Sequence, residues 1–227
     1  MMWPQLLKSL LQSLDHELAP IRLVAERLAV ADAALDPHSG AALFSHRPRI
    51  GTEAYACVIF PGVAPEMMSR YEELQHSIGN GGFEIPAVFK KVLLRLNGAW
   101  IFQLSLYGLP PSMCHNPPLL DRSARQPLDL GTANLNWRRQ YAADPTQFHF
   151  GGSQYSHEEN IAYFLNGDGS VVALLKGGHR VWNWPSFETF LNAELPRAES
   201  QYEEFERRMS AIKPAPKEKS KRNTKAR

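Results

Sequence analysis

The chain has 227 residues, 44% of them hydrophobic and 21% charged, long enough for one sizeable core and unlike a disordered or fibrous polypeptide. Its net charge is +2, but residues 213–227 carry seven Lys/Arg against one acid and leave 18 basic against 22 acidic side chains in the rest, about −4. A mildly acidic body argues against nucleic acid lying along its surface, and two cysteines outside any Cys-x-x-Cys pair fit a cytoplasmic, thiol-reducing compartment.

Leu7, Leu10, Leu11, Leu14 and Leu18 recur at helical spacing, and after Pro20 the pattern resumes with Ile21, Val24, Leu28 and Leu35, which predicts two amphipathic helices. Lys8, Asp15, His16 and Glu17 interrupt the first of them, so it lacks the unbroken apolar run of a signal peptide. No stretch approaches a membrane span. Asp36-Pro37-His38-Ser39-Gly40 breaks the helical pattern, and a short strand over residues 55–60 precedes the turn Pro61-Gly62. A third helix over 65–78 is expected to bury Met67, Tyr71, Leu74 and Ile78.

Beyond the glycine turn at 79–82, Pro86 opens a helix whose apolar stripe is Phe89, Val92, Leu93 and Leu96, with Asn97-Gly98 as its stop. The period then changes from 3.6 to 2. Trp100, Phe102, Leu104 and Leu106 read as one face of a single strand, with Gln103, Ser105 and Tyr107 on the other. A long Pro-rich connection covers 109–128. Residues 161–165 and 171–175 flank Asn166-Gly167-Asp168-Gly169 as a hairpin, and a Gly177-Gly178 turn leads to a third strand over 179–184. Ser186 caps a helix carrying Phe187, Phe190 and Leu191, extended by Tyr202, Phe205 and Met209. Residues 213–227 hold too little apolar surface to fold and are expected to be a disordered basic tail.

Glu73-Leu74, Glu84-Ile85-Pro86, Phe89, Leu93, Asn97-Gly98 and the aromatic strand after them resemble the signature of the SUKH superfamily, the Smi/Knr-type domain. Trp182 and Trp184 followed by the Phe187 to Leu191 helix are similar to the family's C-terminal end. Ile85 stands where the family usually has Leu, and the segment 109–147 departs from its compact core. The resemblance implies an α+β fold with an antiparallel sheet, no common catalytic machinery and no cofactor. It also implies a role in binding another protein, as bacterial immunity proteins that neutralise toxins or fungal regulators of cell-wall assembly do. The division expected is a helical extension at 1–64 packed on the core, a SUKH-like domain at 65–212 and the tail.

Individual residues suggest other chemistries. His149 and His157, with Cys114-His115, can be assembled on paper into a metal or hydrolase site, but they lack any zinc spacing, and His157-Glu158-Glu159-Asn160 is not a His-Glu-x-x-His helix. Gln103 replaces the glycine a nucleophile elbow at Ser105 needs, so Ser105 reads as a plain strand residue. Gly79-Asn80-Gly81-Gly82 has Glu84 at the third glycine position, where an acid repels a pyrophosphate. Asp121, Asp129, Asp144, Glu158 and Asp168 offer carboxylates with no separation readable from sequence, and no catalytic residue is nominated. The basic tail reads as a solubilising segment, as an arm for nucleic acid or another anionic surface, or as a localisation signal. For partner contact the candidates are Trp137, Arg138, Arg139 and Tyr141, residue types enriched at interface hot spots. The same spacing equally makes Trp137 and Tyr141 one core-facing stripe with the arginines solvated.

Overall fold

The computed structural model describes residues 3–46, 55–77, 83–110, 127–156 and 158–211. Nine strands form one antiparallel sheet in which spatial order is sequence order. They are β1 (Ala33–Leu35), β2 (Ala42–His46), β3 (Tyr55–Pro61), β4 (Leu96–Ile101), β5 (Leu104–Leu106), β6 (Phe148–Gln154), β7 (Asn160–Leu165), β8 (Val171–Leu174) and β9 (Arg180–Trp184). The helices are α1 (Trp3–Ser13), α2 (Ala19–Ala29), α3 (Pro65–Ser77), α4 (Ala87–Leu93), α5 (Leu130–Leu135) and α6 (Phe187–Ala211). The fold is therefore α+β with an antiparallel sheet, and the segment 1–64, expected as a helical extension, also supplies the first three strands of that sheet.

One face of the sheet is covered by helices. Leu14, Ile21, Phe89, Phe150, Phe190 and Leu191 are among the fully buried side chains of the main core there. The sequence Ser186-x-x-Thr189 caps α6 reciprocally, with the Ser186 hydroxyl accepting from Thr189 N–H at 3.2 Å and the Thr189 hydroxyl accepting from Ser186 N–H at 3.1 Å. The helix then runs unbroken through Pro196 to Ala211, as the extended pattern of Tyr202, Phe205 and Met209 implies. A buried network fixes it to the sheet. The Tyr163 hydroxyl donates to Glu194 Oε2, Arg197 Nε donates to the same oxygen at 2.8 Å, and Arg197 Nη1 donates to Gln154 O at 2.9 Å. Burial and the Glu194 charge both hold the Tyr163 phenol well above its ordinary range.

Several expectations are corrected. Leu35 lies in β1, because α2 ends at Ala29. α3 buries Met68, Tyr71 and Gln75, while Leu74 is 43% exposed and Met67 only partly buried. The stripe is rotated because the start of α5 sits on Tyr71 and Gln75, which a Cβ on Gly131 would meet at 2.6 and 3.0 Å. Ile78 and the 79–82 turn lie outside the described residues. α4 ends at Leu93, and Asn97-Gly98 belongs to β4 instead of stopping the helix. The buried Asn97 side chain accepts from Leu109 N–H at 2.7 Å, and Gly98 has φ +84°, a conformation in which a side chain is strained.

The single strand expected over 100–106 is a hairpin. Phe102 and Gln103 form its turn, Phe102 has φ +55°, and Trp100 pairs with Ser105 while Ile101 pairs with Leu104. Directly paired residues in an antiparallel sheet share a face, so Ile101, Leu104 and Leu106 enter the main core and Trp100 turns to the other side. The Phe102 ring packs on Tyr202 of α6, 5.6 Å between centroids. The hairpin at 166–169 forms as expected. Asp168 accepts from Ser170 N–H at 2.9 Å and Asn166 N–H donates to Ser170 O at 2.9 Å. The stretch 213–227 lies outside the described residues.

Candidate functional site

The register of the meander places one row of side chains across its second face: Ala34, Leu43, Val58, Trp100, Ser105, Gly152, Ala162 and Leu174. The row is bulky at Trp100 and small at Ser105 and Gly152, so the sheet surface dips between β4 and β7. A pocket of about 450 Å³ occupies the dip, within the range of small-ligand and side-chain pockets. Ser105 and Gly152 lie at its floor, Trp100, Tyr107, Trp137 and Tyr141 are its aromatic walls, and Gln103, Gln140, Gln154, Asn160 and Lys176 are among its other lining residues, with His149 behind them.

The wall contributed by residues 127–141 is held rigidly. Gly108 N–H donates to Leu128 O at 2.8 Å and Leu130 N–H to Gly108 O at 3.0 Å, which carries the chain across the end of β5. Asp129 caps α5, accepting from Gly131 and Thr132 N–H at 3.0 Å each and from the Tyr71 hydroxyl at 2.6 Å. Asn134 then acts like a strand partner to β6. Its amide N–H₂ donates to His149 O at 2.9 Å and its oxygen accepts from His149 N–H at 2.9 Å. The 3-10 turn Trp137–Tyr141 follows, packed against a second 3-10 turn, Lys176–Gly178.

His149 lies beneath this wall, 1% exposed, stacked on Phe164 at 4.6 Å and edge-on to Tyr107 and Tyr141. Its Nδ1 faces Ala133 O at 3.3 Å and its Nε2 faces Gly151 O at 3.1 Å. A neutral ring has one N–H for two carbonyls, and a charged ring would serve both. Burial decides between them, pushing the imidazole down to about 4 although both carbonyls pull it up. His149 is thus a neutral brace between α5 and β6, with both nitrogens turned to backbone.

Tyr107 has the opposite character. Its side chain is 6% exposed and its ring packs on Trp137 at 5.7 Å, yet its hydroxyl has no protein partner among the described residues. That hydroxyl stands over the floor, where a Cβ added to Gly152 would meet it at 2.6 Å. Burial raises the phenol, which therefore stays protonated and can both donate and accept. The Trp100 indole N–H, in the same wall, is shielded from water and has no partner among the described residues. The lining contains no carboxylate, and Lys176 is its one charged group among the described residues. The arrangement suits a ligand that is partly flat and apolar and carries hydrogen-bonding groups.

The structure separates the four expected contact residues. Trp137 and Tyr141 both line the pocket, but Tyr141 is 8% exposed and packs into a core cluster with Phe164, Val172 and Leu174, so it presents little ring area. Arg138 is tied down, its Nη2 donating to Asp144 O at 2.6 Å, whereas Arg139 is exposed. His157, Cys114, His115 and Asp121 lie outside the described residues. Among the described residues no cluster of His, Cys, Asp or Glu could hold a metal ion, and no helix is long and apolar enough to cross a membrane. Asp129, Asp144 and Asp168 each bind neighbouring backbone N–H groups, and Glu158 is exposed on the β6–β7 connection. Cys57 is buried in β3 and burial raises its thiol, so it is inert.

Sequence reading did not single out Trp100, Tyr107, Gly152, Gln154 or Lys176 as site residues. They come from four separate segments, and only strand register brings them together. No family model matches the chain, and neither a curated protein nor a solved structure matches it.

Proposed function

We propose that the chain is a non-catalytic binding domain that holds a partner protein through the pocket on the second face of its sheet. The observation that carries this reading is the Trp100 indole N–H in the pocket wall, shielded from water and without a partner among the described residues, beside the Tyr107 hydroxyl over the Gly152 floor. A polar group shielded from water without a partner is destabilising, so it is retained where a ligand completes it. The resemblance to SUKH proteins supplies the class of partner, a toxin domain that the chain neutralises by occlusion, and the cytoplasm as the place where the two meet. The acidic body favours protein over nucleic acid as the partner.

Filling the floor tests the reading. Ser105→Tyr puts a ring into the pocket from a strand position facing it, and an α2 surface change, Leu23→Ser, serves as control. The tagged wild type and the control are expected to form a saturable stoichiometric complex with a partner from their own cells, and S105Y to lose it while melting at the same temperature. Equal capture by S105Y would remove the pocket from the account.

A further inference from the structure

The pocket continues past the Phe102–Gln103 turn. A second depression of about 490 Å³ shares Gln103 and Gln154 with it and is bounded by Tyr155, Gln201, Glu204 and Phe205. Together they form a groove from the Lys176–Gly178 turn to the C-terminal half of α6. One end holds Lys176, which has no ion-pair partner among the described residues, and the other holds Glu204, already paired with Arg208.

The polar character of this groove is specific. The side chains of Gln103, Gln140, Gln154 and Asn160 make no hydrogen bond within the described protein, and each offers both a donor and an acceptor. In the walls, Trp100 Nε1–H is a shielded donor and Gln201 Oε1 a shielded acceptor, both without partners. Sulfate brings acceptors only and phosphate few donors beside its acceptors, so either would leave most of the amide oxygens and Gln201 unserved. A peptide bond brings one donor and one acceptor per residue, which is the complement of an amide side chain. An extended chain also alternates its side chains, so one can enter the aromatic pocket while its neighbours point away.

We propose that this groove receives an extended segment of a partner protein, with a proline or aromatic ring seated on the Ser105–Gly152 floor and a carboxylate beside Lys176. The inference rests on the binding function proposed above. Aromatic walls without a carboxylate favour the ring, and the unpaired Lys176, with Arg139 exposed on the neighbouring turn, favours the acid. The carboxylate is either an acidic side chain or a chain terminus, two sources that free-acid and amidated peptides distinguish.

The test is a random peptide library, in free-acid and amidated forms, probed with the full chain. Expected is enrichment of Asp or Glu within a few positions of Pro, Phe, Tyr or Trp, in both forms for a side-chain acid and in the free-acid form alone for a terminus. Lys176→Glu, an exposed change that leaves the fold intact, is expected to weaken the selected peptide about tenfold. In a repeat selection it is expected to enrich Lys or Arg in place of the acid. A motif indifferent to K176E overturns the placement. Neutral oligosaccharides, titrated against tryptophan fluorescence, are expected to leave it unchanged, and saturable quenching that S105Y abolishes would overturn the peptide in favour of a sugar. If wild type captures a folded partner in an S105Y-sensitive way but selects no peptide, the extended segment is refuted and the binding function stands. If it captures neither, both fall.

Discussion

Acid should loosen this protein through His149 before it titrates most carboxylates. An unfolded histidine takes up its proton near pH 6.5, whereas in the fold burial holds the imidazole down to about 4. As pH falls through that window the unfolded chain binds a proton that the folded one refuses, so stability declines with falling pH and is flat above it. At about 1.4 kcal/mol per pH unit, the interval amounts to about 3 kcal/mol, most of it lost by about pH 4.5. Guanidinium unfolding of wild type and His149→Phe, at about pH 7.5 and about pH 4.5, isolates the effect. Phenylalanine keeps the stack on Phe164 but removes the one N–H that the neutral ring offers to the Ala133 or Gly151 carbonyl, so the variant starts less stable. What matters is the change between the two pH values, expected to be about 2–3 kcal/mol smaller in the variant. Equal losses in both proteins would show that His149 already carries its charge in the fold or is open to water, and the reasoning from burial would be wrong.

Glu194→Ala leaves Arg197 and the Tyr163 hydroxyl without their shared acceptor beneath α6 and should cost about 3–5 kcal/mol in denaturant unfolding; a loss below about 1 kcal/mol would mean the network relaxes freely. Gly152→Ala forces the Tyr107 ring off its seat and should cost about 1–3 kcal/mol, while Gly167→Ala, with open space around its Cβ, should stay within about 0.5 kcal/mol; thermal melts of the pair decide. Tyr107→Phe removes an unpartnered hydroxyl and should leave stability unchanged or raised by up to about 1 kcal/mol while weakening partner binding. A destabilised Y107F would point to an internal partner for that hydroxyl.

What could be read from the sequence was whatever local chemistry decides. Asn166-Gly167-Asp168-Gly169 announces a hairpin because its residues tolerate tight turns, and Ser186 announces a helix start. What could not be read were features set by distant partners. The alternation from Trp100 to Leu106 continues unbroken through a chain reversal, since Phe102 occupies a left-handed turn position and spends its ring on Tyr202. Gly151-Gly152 looks like a turn but lies in β6, where a side chain at 152 would strike the Tyr107 hydroxyl. Asn97-Gly98 has the composition of a helix stop and serves the backbone at Leu109 instead. Trp137 and Tyr141 stand out by residue type, while the floor and Lys176 are neighbours of theirs only through pairing across β4 to β8.

The meander has a bearing on biogenesis. Among the described residues every strand pairs with the strand made just before it, so the sheet can grow by successive addition as the polypeptide emerges, with its longest wait between Leu106 and Phe148. α6 is different: it follows all nine strands, yet it packs against α2 and against β4, β5 and β9. Until it docks, much of the apolar side of a nearly finished sheet is open. A nascent chain stalled before residue 187 would therefore present a large adhesive surface and be a natural client for chaperones, and release would coincide with closure of that last helix.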